Sequence, residues 1–150
     1  MLKYPITYTN FEGQEVTEDF YFNLTKAELI KMEAGIAGGL ADKIKKSAKV
    51  NDKAAIFDII ERFVLSAYGV KSEDGKHFSK TNSQTGVKYS DLFKDTEAYS
   101  ELFMKLVSDD KEAAKFINAV IPTELAEQVK AEQAKNAKKA TQPAVEWINN

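Results

Sequence analysis

The chain has 150 residues, 43% of them hydrophobic and 29% charged, which is enough apolar material for one domain with its own core and too much for a disordered chain. Its 21 basic and 23 acidic residues leave a net charge of -2, so no single-signed field is available to gather nucleic acid or an acidic membrane. The absence of cysteine excludes disulfides, thiol nucleophiles and thiolate metal sites, and fits a reducing compartment.

The first nine residues show no apolar signal core, and nothing in the chain approaches the ~20 apolar residues of a membrane span. Instead they alternate. Leu2, Tyr4, Ile6 and Tyr8 are apolar, with Lys3, Pro5 and Thr7 between them. After a turn near Asn10, Phe11, Glu12 and Gly13, the residues Val16, Phe20, Phe22 and Leu24 share one face, with Thr17, Asp19, Tyr21 and Asn23 on the other. A period of two with aromatic and β-branched residues predicts a half-buried β-hairpin. Pro5 has no amide to give a ladder, which predicts an edge strand or one unpaired on that side.

Helices follow. Thr25 and Glu28 have the spacing of a capping box, flanked by Leu24 and Leu29 as a hydrophobic staple, so a first helix begins there and stops near Ala34 and Gly35. A glycine-rich break over 35–39 leads to a second helix over 40–48 that carries Lys43, Lys45, Lys46 and Lys49. A third helix, capped by Asn51 or Asp52, places Ile56, Ile59, Ile60, Phe63, Val64 and Ala67 on one stripe, widened by Phe57, Leu65 and Tyr68. This is the central core helix, and Gly69 is placed to end it.

The segment 70–88 is polar and turn-rich, with a tight turn at Ser72, Glu73, Asp74 and Gly75 and with Val70 and Phe78 as anchors. A short helix carries Tyr89, Leu92 and Phe93. Another, capped at Asp95 or Thr96, carries Tyr99, Leu102, Phe103 and Leu106. A further one, with Asp109 and Glu112 in capping-box spacing, carries Ala113, Phe116, Ile117 and Val120 before Pro122. Residues 123–140 favour helix but have a thin apolar stripe of Leu125, Val129 and alanines, and the tail regains apolar residues at Val145, Trp147 and Ile148. The expectation is an α+β fold, predominantly helical: a hairpin over 1–24 packed on five or six helices within a domain spanning 1–122, then a projecting helix and tail over 123–150.

No constellation of chemical groups stands out. His77 is the sole histidine and sits in a turn-rich stretch, where it reads as a surface residue. No nucleophile-elbow motif frames any serine. Glu18 and Asp19 fall on a strand and point to opposite faces; Glu73 and Asp74 make a turn; Asp109 and Asp110 cap a helix. Gly35, Gly38 and Gly39 lack the lysine and hydroxyl residue of a phosphate loop. The lysines of the second helix read as a solvated face, and Arg62 is the sole arginine, which weakens a nucleic-acid reading. The sequon at Asn23 has no secretion signal before it. These absences predict a binding protein: no enzyme, no cofactor, no metal. Leu125, Val129, Val145, Trp147 and Ile148 are the candidate partner-binding residues, because tryptophan is enriched among interface hot spots. Trp147 fits equally a tail docked on its own domain.

Several segments resemble one family. They are 2–9 (LKYPITYT), 15–29 (EVTEDFYFNLTKAEL), 68–76 (YGVKSEDGK), 98–104 (AYSELFM) and 113–118 (AAKFIN). Together, over roughly 1–125, they are similar to the tail assembly chaperones of long-tailed bacteriophages that infect Gram-positive bacteria. The resemblance implies a non-catalytic protein, made in the cytoplasm of the infected cell, that coats the tape measure protein and holds it soluble while tail tube subunits polymerise. It implies absence from the finished virion and, in many members, a longer frameshifted form, this chain matching the shorter one. Partners implied are the tape measure protein, that longer form, the tail tube protein and further copies of the chain. A structural component of the tail or connector, a small hydrolase or nucleotide-using enzyme, and a nucleic-acid-binding regulator are the competing readings.

Overall fold

The computed structural model describes residues 1–35, 39, 43, 46 and 49–122. The expected second helix falls on 40–48 and therefore lies almost wholly outside the described residues, as does the expected C-terminal helix and tail.

Strand β1 (Leu2–Thr9) and strand β2 (Glu15–Phe22) pair antiparallel, from Leu2 opposite Phe22 to Thr9 opposite Glu15. The turn is held by Asn10, whose Oδ1 accepts from the amides of Glu12 and Gln14 at 3.0 and 2.9 Å, while Gly13 takes φ 79°. Asparagine at the turn start and glycine in the left-handed region are the residues such a turn requires. The even positions of β1 face inward, with Ile6 buried, and Lys3, Pro5, Thr7 and Thr9 face out.

Helix α1 (Lys26–Ala34) starts with both halves of the capping box made: Glu28 N donates to Thr25 Oγ1 at 3.1 Å and Thr25 N donates to Glu28 Oε1 at 3.0 Å. None of its residues is fully buried, although Leu29 and Met32 lean on the core. Helix α2 (Lys53–Ala67) is capped by Asp52, whose side chain accepts from Ala55 N, and it buries Ile59, Ile60, Phe63, Val64 and Ala67.

Here the structure departs from the sequence reading. Gly69 does not cap α2. The helix passes straight into strand β3 (Tyr68–Lys71), which pairs with β2 through Tyr21 opposite Gly69 and Phe22 opposite Tyr68. Strand β4 (Phe78–Ser79) pairs back on β3, so the sheet has four antiparallel strands in the order β1-β2-β3-β4 and is more than an N-terminal hairpin. The glycine at 69 is needed for space: a Cβ there would lie 2.7 Å from two carbons of the Phe78 ring. The last carbonyls of α2 are satisfied from elsewhere. Asn23 N donates to Ala67 O at 2.8 Å, and the Lys80 ammonium donates to Ser66 O at 2.5 Å and to Asn23 O at 2.7 Å.

Three more helices complete the described fold: α3 (Tyr89–Lys94), α4 (Glu97–Ser108) and α5 (Asp110–Val120). Thr96 caps α4, accepting from Tyr99 N. Asp109 caps α5, accepting from Lys111 N and Glu112 N. The helices lie on the inward face of the sheet, and the core between them is aromatic. Phe22, fully buried, meets Tyr68, Phe93 and Phe116, and Tyr68 stacks on Phe93 with centroids 4.1 Å apart. Leu24 N donates to Val120 O at 2.9 Å, so the ends of β2, α2 and α5 meet at one junction.

Candidate partner-binding surface

The polar clusters of the described residues tie elements together. Glu61 on α2 accepts from Lys94 of α3 at 3.0 Å and from the Tyr99 hydroxyl of α4 at 3.4 Å. Burial, with the Glu61 charge beside it, pushes the Tyr99 phenol well above its ordinary range, and the Glu61 carboxylate raises Lys94. The Tyr4 hydroxyl of β1 donates to Glu112 of α5 at 3.2 Å, while Lys105 of α4 sits over its ring at 5.5 Å; burial raises the Tyr4 phenol. Glu112 also meets Lys115, within α5, at 3.9 Å. Lys80 pairs with Glu28 at 3.4 Å in addition to its two carbonyls, and burial lowers its ammonium. Apart from the pair within α5, each of these contacts joins one helix or strand to another, and each leaves its members engaged.

The carboxylate pairs behave as strand, turn and cap residues. The Tyr8 hydroxyl donates to Glu18, and Asp19 meets Lys3 at 3.5 Å on the other face. Asp74 accepts from Ser72 Oγ at 2.6 Å and from Lys76 N at 3.0 Å, which holds its carboxyl below the usual range. His77 is exposed beside that turn. Among the described residues no group of three or more His, Cys, Asp or Glu gathers in a metal-binding arrangement.

What the described surface offers a partner is apolar. Phe57, at the N-terminal end of α2, is 39% exposed and reaches the Phe103 ring of α4 at 5.9 Å in an edge-on contact. The next residue of α4, Met104, is 58% exposed. Methionine and aromatic side chains adapt to varied apolar partners. Leu92 on α3 and Ile30 on α1 are exposed as well. The sequence places Phe57 in the widened core-facing stripe and Leu92 on a short helix. Phe57 overhangs the first turn of its helix, and Leu92 lies next to the buried Phe93 on a helix of six residues that buries that one side chain. Met104 was legible: it lies half a turn from Leu102 and Leu106, opposite the face they bury. Leu125, Val129, Val145, Trp147 and Ile148 lie outside the described residues.

A family model described as phage tail assembly chaperone matches residues 1–149. No curated protein matches the chain. No solved structure matches it.

Proposed function

The chain belongs to the phage tail assembly chaperone family, and from that premise we propose that it binds the tape measure protein without catalysis and keeps it soluble while the tail is assembled. The single observation that carries the reading is the family match over 1–149, nearly the whole chain. The fold is compatible with it. A helical client can lay an apolar face on exposed Phe57 and Met104, with the half-buried Phe103 between them. Many copies along one long client add avidity that no single contact supplies. No helix among the described residues is long and apolar enough to cross a membrane. The working place proposed is the cytoplasm of the infected cell, with the protein left out of the finished particle.

The finer assignments are part of the same proposal. The domain covers 1–122 and the segment 123–150 extends from it. Leu125, Val129, Val145, Trp147 and Ile148 supply further partner contacts, to client or to other copies. The chain is the shorter of two frameshift products, and it assembles into homo-oligomers beside the tail tube protein.

Co-expression with the tape measure protein is the direct test. The client's soluble fraction rises with this protein present and falls back with the Phe57→Ser, Met104→Ser double variant. A client equally insoluble with and without the protein removes the reading. A chaperone is absent from purified particles by mass spectrometry, whereas a structural tail component is present in them.

A further inference from the structure

The sheet has two outer edges of very different length. Strand β4 has two residues, too few to template another chain. Strand β1 has eight, and no strand lies beyond it among the described residues. A long row of unpaired amides and carbonyls invites a further strand.

The register fixes which residues make up that row. Asn10 N donates to Gln14 O at 2.8 Å, which makes 10/14 a hydrogen-bonded pair. Hydrogen-bonded pairs alternate along an antiparallel ladder. Counting back in twos, Tyr8/Val16, Ile6/Glu18, Tyr4/Phe20 and Leu2/Phe22 exchange their bonds inside the hairpin. Lys3, Pro5, Thr7 and Thr9 therefore turn their main-chain groups outward. The other side of β2 has the same parity: its odd residues must face β3, and Asn23 N indeed donates to Ala67 O, in line with Tyr21 opposite Gly69. Pro5 stands within the outward row. It removes a donor from the middle of that edge, and its ring occupies the place where an incoming carbonyl would seat.

We propose that Pro5 guards this edge against a second copy of the same chain. The row is self-complementary, since two antiparallel copies of β1 related by a two-fold axis offer each other the same alternation of donors and acceptors. Thr7 and Thr9 are good strand residues with short side chains. With the axis at Pro5, each Lys3 lies opposite Thr7 of the other copy, so the lysines do not meet. Without the proline the edge pairs with itself. With it, copies are kept from fusing edge to edge. This inference rests on the hairpin alone and stands or falls independently of the client.

The test compares the full-length chain with Pro5→Thr by sedimentation velocity over a hundredfold range of concentration. Pro5→Thr associates at least tenfold more tightly than the parent, and amide exchange at Thr7 and Thr9 slows as concentration rises. Adding Thr7→Pro to that variant restores a proline to the same outward row and returns the parent's sedimentation. Two results overturn the proposal: sedimentation and exchange unchanged in Pro5→Thr with parental circular dichroism, or association that persists in the Pro5→Thr, Thr7→Pro variant. If Pro5→Thr loses its fold, Pro5→Ala takes its place under the same two readouts, since it too restores the missing amide.

Discussion

The first hairpin pairs eight residues with eight around a turn closed by Asn10 and Gly13, and the bonds of its pairing and its turn lie within 24 residues of sequence. The second pairs Val70 and Lys71 with Ser79 and Phe78, and its supports come from far away. Its Tyr68 stacks on Phe93, and Lys80, just past β4, reaches Asn23 and Ser66, while within the hairpin Gly69 leaves room for the Phe78 ring. A strand pair with a long alternating pattern carries its own instructions, whereas a short one is made by the core and the junction it completes.

Removing the residue that joins the two hairpins has the largest expected effect. Phe22→Ala empties the centre of the aromatic cluster, with Tyr68, Phe93 and Phe116 losing their common neighbour. A loss of about 3–5 kcal/mol is expected in denaturant unfolding, or no folded protein at all. Gly69→Val strikes the second hairpin directly. Its side chain collides with the Phe78 ring and with Ser79 O, and about 1–3 kcal/mol is expected to be lost, with amide exchange rising over β3 and β4 while β1 and β2 stay protected.

Lys80→Met is next. It keeps the aliphatic stem and deletes the donor to two carbonyls, with an expected cost of about 1–3 kcal/mol. It also has a pH signature. Burial lowers the Lys80 ammonium in the folded state below 10.5, so the unfolded chain binds more protons between the two values. This group's contribution to stability therefore grows as pH rises through that window, and the growth disappears in Lys80→Met. The smallest effect is expected at the first hairpin's surface. Thr17→Ala breaks the hydroxyl contact with Thr7 at 2.8 Å and costs less than about 1 kcal/mol in thermal unfolding. A larger loss there than at Gly69 would reverse the comparison.

Much of the helical half was legible for the same reason as the first hairpin. The α2 stripe, the Thr25 and Thr96 caps and the breaks at Gly35 and Pro122 are set by residues a few positions apart. The edge reading of Pro5 was legible too, because a proline amide is missing in any context. The apolar surface at Phe57 was not: its spacing belongs to the core stripe, yet the residue is 39% exposed and its ring meets Phe103 of α4 edge-on.

By itself the sequence determined the α+β class, the first hairpin with its turn and the starts of most helices. All of these depend on local periodicity and on side chains that bond the backbone within a turn of themselves. Tertiary structure decided that Tyr68–Lys71 and Phe78–Ser79 are two further strands, that Gly69 is a space and not a cap, and that Lys80 closes the end of α2. Those outcomes depend on groups brought together across the chain, such as Phe93 on Tyr68 and Lys80 beside Asn23, and no local pattern encodes a contact whose partner lies that far away.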